Sequence, residues 1–129
     1  TWSSQTKENI MEVIEISQKI VEKIALLEKG REQLKDRAKR KAQTTANYEK
    51  DLAITIIKLR NNAIKTWEEY SCENLPVTLI EKIAKGICYQ SKLNMEQSEA
   101  EYKNAIVGLN TIQAELNGYQ SMNRHLQEV

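Results

Sequence analysis

From Ile10 onward, alternating steps of three and four residues land on Ile10, Val13, Ser17, Ile20, Ile24, Leu27, Arg31, Leu34, Ala38, Lys41, Thr45, Tyr48, Leu52, Thr55 and Leu59. Ten of these fifteen positions are apolar, a seam of about 3.5-residue period that predicts a long helix packed side by side with another. Neither Gly nor Pro occurs between Gly30 and Pro76. Gly30 costs roughly 1 kcal/mol inside a helix without forcing its end, and Thr44-Thr45 is the next weakest point. The stretch Tyr70-Ser-Cys-Glu-Asn-Leu-Pro-Val77 breaks the pattern, since Pro76 cannot continue a helix and Ser71 and Asn74 favour turns. Thr78 and Glu81 then have capping-box spacing and predict the start of a second helix. Its seam runs through Ile80, Ala84, Ile87, Ser91, Met95, Ser98, Tyr102, Ala105, Leu109, Ile112, Leu116, Tyr119, Asn123 and Leu126. Gly86 and Gly108 are tolerated within it, and Asn117-Gly118 is a possible early end.

The predicted fold is therefore all-α: a single helical domain over 1–129, with a helix over about 5–70, a turn at 71–77 and a helix over about 78–127. It is a long antiparallel, coiled-coil-like hairpin. Pairing about that turn places Leu59 near Tyr89 and Leu34 near Ala114, and leaves residues before about 19 without a partner. Trp67, Tyr70, Leu75, Val77 and Ile80 are expected to plug the turn. Trp2 is expected at the frayed start of the first helix.

The apolar content exceeds what such a hairpin covers. Eleven of the eighteen residues from Ile10 to Leu27 are apolar, and they spread over about half the helix circumference. Each Ile or Leu left exposed forgoes roughly 1.5–3 kcal/mol. Two solutions follow. The first helix breaks near residue 30 or 44–45 and folds back as a three-helix bundle, or further copies of the chain cover the stripes. The second predicts a homo-oligomeric helix bundle, most simply a dimer, with Ile10, Val13, Ile14, Ile20, Val21, Ile24, Leu27, Leu109, Ile112 and Leu116 at its interface.

Composition narrows the class without naming an activity. The chain has 129 residues, 40 % hydrophobic and 29 % charged, with only 4 Gly and 1 Pro. So few breakers disfavour sandwiches and barrels, which turn every ten residues or so. Nineteen basic residues against eighteen acidic ones leave a net charge of +1, with no global pull toward nucleic acid or membrane. No apolar run reaches the roughly 20 residues of a membrane span, and Thr1 to Glu12 lacks the basic start and apolar stretch of a secretory signal. With two cysteines, Cys72 and Cys88, expected too far apart to bond, a reducing cytoplasm is the expected setting.

The candidate chemistry is sparse. His125 has no Cys or Asp nearby, and it and the two cysteines lack metal-ligand spacing. The carboxylates fall in helical sets (Glu8, Glu12, Glu15; Glu22, Glu28; Glu96, Glu99, Glu101) without the Glu-x-x-His pairs of a di-iron bundle. No phosphate loop or nucleophile elbow occurs, so neither enzymatic activity nor a cofactor is expected. The one concentrated charge feature is Lys29 to Lys41, with seven basic residues and two acidic. Arg31, Lys35, Arg37, Lys39 and Arg40 are its candidate nucleic-acid contacts, and Arg31, Lys35 and Lys39 share one helix face. The predicted register sets Glu96, Glu99 and Glu101 opposite about residues 47–52, which leaves the basic run unneutralised.

The stretch Asn74-Leu-Pro-Val-Thr-Leu-Ile-Glu-Lys-Ile-Ala-Lys-Gly86, then Ser98-Glu-Ala-Glu-Tyr-Lys-Asn-Ala-Ile106 and Gln120-Ser121, resembles small helical proteins of phages and prophages of Gram-positive bacteria. The similarity covers roughly residues 48–125. It implies a phage-associated protein in the cytoplasm of a bacterial host, and it assigns no activity or site residue. The expectation is a non-enzymatic interaction or assembly module, possible protein partners included; the rival is a nucleic-acid-binding accessory.

Overall fold

The seam beginning at Ile10 belongs to one uninterrupted helix. In the computed structural model, which describes residues 3–128, α1 runs Ser4–Arg60, a short connection follows, and α2 (Val77–Ile87) and α3 (Tyr89–Glu128) complete an all-α protein. Trp2 lies outside the described residues. α1 passes through Gly30 and Thr44-Thr45 without a break, so the chain does not fold back at either point. Gly30 serves close packing: a methyl group there would stand 2.6 Å from Cδ2 of Leu109 on α3. Thr44 turns its hydroxyl inward and donates to the Lys41 carbonyl.

α1 ends about ten residues before the expected boundary near residue 70. Asn62 takes a left-handed conformation (φ 57°). Its N–H donates to the Leu59 carbonyl and that of Ala63 to the Lys58 carbonyl, at 3.3 and 2.8 Å. This reciprocal pair is a Schellman stop, and asparagine tolerates the conformation because its short polar side chain can bond locally. The connection then forms a minimal hairpin, β1 (Thr66–Trp67) against β2 (Tyr70–Ser71), antiparallel with Trp67 opposite Tyr70. α2 starts at Val77 with Pro76 as its N-cap and no side-chain cap, so the expected Thr78 capping box is absent. Pro76 is preset for a helix entry and its carbonyl accepts from the Leu79 N–H, while Glu81 pairs forward with Lys85. The expected second helix is divided at Cys88, the C-cap of α2, although the Cys88 N–H still reaches the Ala84 carbonyl. Asn117-Gly118 does not end α3.

The chain forms two compact units. Unit 1 joins residues up to Asp36 with those from Lys103 onward; unit 2 is Arg37–Tyr102. Within unit 1, Lys23 meets Glu115 and Gly30 meets Leu109; within unit 2, Arg37 and Arg40 meet Glu101, and Thr55 meets Cys88. Rising numbers on α1 meet falling numbers on α3, so the helices are antiparallel in each unit. The register differs from the expected one by about ten residues in unit 1, close to three helical turns. The early stop at Asn62 moves the centre of the connection toward the N-terminus, and the first turns of α1 gain partners on α3.

The densest core lies in unit 2, where Leu59, Cys72, Ile80 and Ala84 are buried together with Trp67 and Leu75 against them. Trp67, Leu75 and Ile80 thus plug the turn as expected, whereas Tyr70 and Val77 point outward. A methyl group on Gly86 would stand 2.6 Å from Cη2 of Trp67, so the indole lies directly on this glycine. Gly86→Ala is therefore expected to lower stability by about 1–2 kcal/mol, overpacking outweighing the ~1 kcal/mol that alanine ordinarily contributes to a helix. Gly118→Ala, with open space around it, is expected to raise stability by about 1 kcal/mol. Urea titrations of the two variants giving shifts of the same sign would contradict this.

Candidate interaction surface

Unit 1 is thinly cored. Its buried hydrophobic residues, among those described, are Ile16, Leu27 and Leu116. At 100° per residue, Ile16, Ile20 and Leu27 fall on one face of α1, the face that meets α3. Met11, Ile14, Val21 and Ala25 fall on nearly the opposite face and are exposed, Met11 at 69 % and Val21 at 67 %. Ile24 and Leu26 are also exposed.

The ten residues expected at an oligomer interface therefore divide. Ile14, Val21 and Ile24 are open. Ile10, Val13, Ile20, Leu109 and Ile112 are half-buried, and Leu27 and Leu116 are buried, so these last two belong to the unit's own seam. The shifted register is the cause: it gives α1 turns that were expected to lack a partner a stretch of α3 to pack on. Met11, Leu26, Val107 and Met122 are exposed apolar residues outside the expected set. For Met11 a signal existed in the sequence, the three-four-three-four run Met11, Ile14, Gln18, Val21, Ala25, which shadows the main seam one residue later.

A groove of about 640 Å³ opens where the first turns of α1 meet the last turns of α3. Ile16, Met122 and Leu126 line it, with Glu12, Glu15, Lys19 and His125 also in its walls. Among the described residues no cluster of His, Cys, Asp or Glu has the arrangement of a metal site.

The basic run is partly neutralised, against the expected register. Glu101 accepts from Arg37 and Arg40 at 3.4 and 3.3 Å, and Lys41 stands over the Tyr102 ring, 4.8 Å from its centroid. Lys35 pairs with Glu32 on its own helix. Arg31 and Lys39 are exposed and form no ion pair among the described residues. Arg31 and Lys35 belong to unit 1, and Arg37, Lys39 and Arg40 to unit 2.

The two thiols are free and buried, Cys72 in the unit 2 core and Cys88 beside the Thr55 hydroxyl at 3.3 Å. Asp51 accepts from the Ser91 hydroxyl, and the Ser98 hydroxyl is returned to the Asn94 carbonyl of its own helix. The Asp51–Ser91 bond ties α1 to α3, whereas the Ser98 bond stays within α3.

One titratable group is displaced from its ordinary range. Lys23 lies 2.6 Å from Glu115, and that hydrogen bond, opposed by partial burial and aided by the carboxylate charge, holds its pKa above the usual lysine range. A raised lysine pKa stabilises the fold fully below the unfolded value, and the contribution is lost as pH rises through the folded value. Unit 1 is accordingly expected to lose stability as the pH rises above the ordinary lysine value of 10.5, and Glu115→Gln to flatten that loss. Denaturant midpoints of the two proteins that fall in parallel over this range would contradict the pairing.

No protein-family model matches the chain, and no curated protein or solved structure matches it either. No described helix is long and apolar enough to cross a membrane.

Proposed function

We propose that this chain is a non-enzymatic helical assembly protein that forms a homo-oligomer, most simply a dimer, through the exposed apolar face of unit 1. The observation that carries this reading is the contrast within α1: Met11, Ile14, Val21 and Ile24 are open to water in a unit that buries only three hydrophobic residues among those described. Water contact at so many aliphatic side chains forgoes several kcal/mol that a helical partner would recover. The resemblance of residues 48–125 to small phage and prophage proteins supports a phage-associated role in a bacterial cytoplasm, as an interaction or assembly module that needs no cofactor.

Light scattering after size exclusion is expected to give a dimer at micromolar concentration. Ile14→Glu with Val21→Glu is expected to give a monomer with undiminished helix content, because both side chains already face water. A wild-type monomer under these conditions overturns the reading.

The competing reading is a nucleic-acid accessory using the basic run, favoured by exposed Arg31 and Lys39. The ion pairs of Arg37, Arg40 and Lys35 weigh against it. Phosphate binding would fall steeply with salt, so a titration at two salt concentrations separates the two.

A further inference from the structure

The same face of α1 carries an orientation as well as a stickiness. Met11, Ile14, Gln18, Val21 and Ala25 are all exposed and follow the spacing of a two-stranded coiled-coil seam, with Gln18 at its centre. The stripe is bounded at both ends, since the next positions in the same spacing are Lys7 and Glu28. It therefore spans about two heptads, about 21 Å of helix. Its two flanks are unlike. One carries Glu8, Glu15 and Glu22; the other carries Ile10, Ser17 and Ile24.

We infer that the occupant of this face is α1 of a second copy, lying parallel and in register. The inference rests on the assembly reading above and adds its geometry. Two features of the stripe select that geometry. In a parallel pair each acidic flank lies against the neutral Ile10-Ser17-Ile24 flank of the other copy. In an antiparallel pair like flanks meet, so glutamate faces glutamate along one whole side. Gln18 supplies the second selection. In register it meets the partner's Gln18, and the two amides each donate and accept. Antiparallel, it is set against an aliphatic position, Ile14 or Val21, and its amide loses water without gaining a partner. A single polar residue within an apolar seam is the device by which coiled coils specify alignment at a cost in strength. Two heptads with an amide at the centre make a short seam, so the dimer is expected to dissociate on dilution.

The test places single cysteines in the full-length chain: Met11→Cys, Ala25→Cys and, as an off-stripe control, Glu12→Cys. All three positions are exposed, so folding is expected to be retained, and circular dichroism checks it. After mild oxidation, peptide mapping separates the new links from the buried Cys72 and Cys88. A parallel dimer gives links from 11 to 11 and from 25 to 25, with little at 12. It gives no 11-to-25 link when the Met11→Cys and Ala25→Cys chains are mixed. Loss of the like-to-like links at both 11 and 25, in chains that remain dimeric, overturns the parallel orientation and leaves assembly standing. A wild-type chain that stays monomeric at micromolar concentration, with linkage no greater at 11 and 25 than at 12, overturns both and assigns the face to a different partner.

Discussion

Leu59→Ala is expected to lower stability by roughly 2–5 kcal/mol, the range for emptying a leucine-sized space in a packed core. Leu59 sits in the last turn of α1 and is 1 % exposed. The cluster to which it belongs draws on four separate stretches of chain: Ile56 and Leu59 on α1, Trp67 on β1, Cys72 in the connection, and Ile80 and Ala84 on α2. Such a site collapses poorly, because closing the void would require several elements to move together. Leu93→Ala, at a leucine that is 43 % exposed, is expected to cost well under half as much. Guanidinium titration followed by Trp67 fluorescence, in a Trp2→Phe background so that one indole reports, measures both. Equal costs at the two leucines would mean that the unit 2 core is not the packed centre described.

Asn62→Ala is expected to cost about 2–3 kcal/mol, although the residue is exposed and outside every helix. Two effects add. Alanine at φ 57° meets the steric penalty of the left-handed region, about 1–2 kcal/mol. The asparagine side chain also clasps the far end of the connection: its Oδ1 accepts from the Asn74 N–H at 2.9 Å and its Nδ2 donates to the Asn74 Oδ1 at 3.3 Å. Asn74 is itself left-handed, at φ 52°. Each exposed hydrogen bond of this kind contributes roughly 0.5–1.5 kcal/mol. Asn62→Gly separates the two effects, because glycine restores the backbone freedom without the clasp. It is expected to cost about half as much as alanine. A glycine variant as damaged as the alanine one would place the whole effect in the side chain.

The register error and this clasp have one origin. Asn61-Asn62 is a helix-stop signal in the sequence, but the stronger break at Tyr70 to Val77, with no Gly or Pro before Pro76, sets the expected end of the first helix near 70. The β1–β2 hairpin gives even less warning. Its two-residue loop is Glu68-Glu69, with Glu68 at φ 55°, where Asn-Gly or Asp-Gly would have marked the turn. Each strand has two residues, too short for alternation to register. The ion pairs of Glu101 with Arg37 and Arg40 were hidden for the same reason, since charges on two helices identify one another only once the helices are aligned.

The interaction face was legible to a different extent. The surplus of apolar residues between Ile10 and Leu27 is a property of one helix, because it depends only on counting positions around a wheel. Which of them face α3 depends on where that helix lies, and the structure assigns Leu27 inward and Met11 outward.

Local interactions were enough for the sequence to dictate helices nearly everywhere and more apolar surface than two helices cover, while the continuity of α1 across Gly30 and Thr44-Thr45 was decided by the fold. They act within a few residues, and the chain's periodicity displays them directly. The alignment of α1 with α3 was left to the tertiary structure. A seam of 3.5-residue period looks almost the same after one helix slides by about ten residues, so the hydrophobic pattern cannot distinguish the two alignments. The connection distinguishes them, through the backbone conformation at Asn62 and the packing of Trp67 on Gly86, and those contacts exist only in the folded chain.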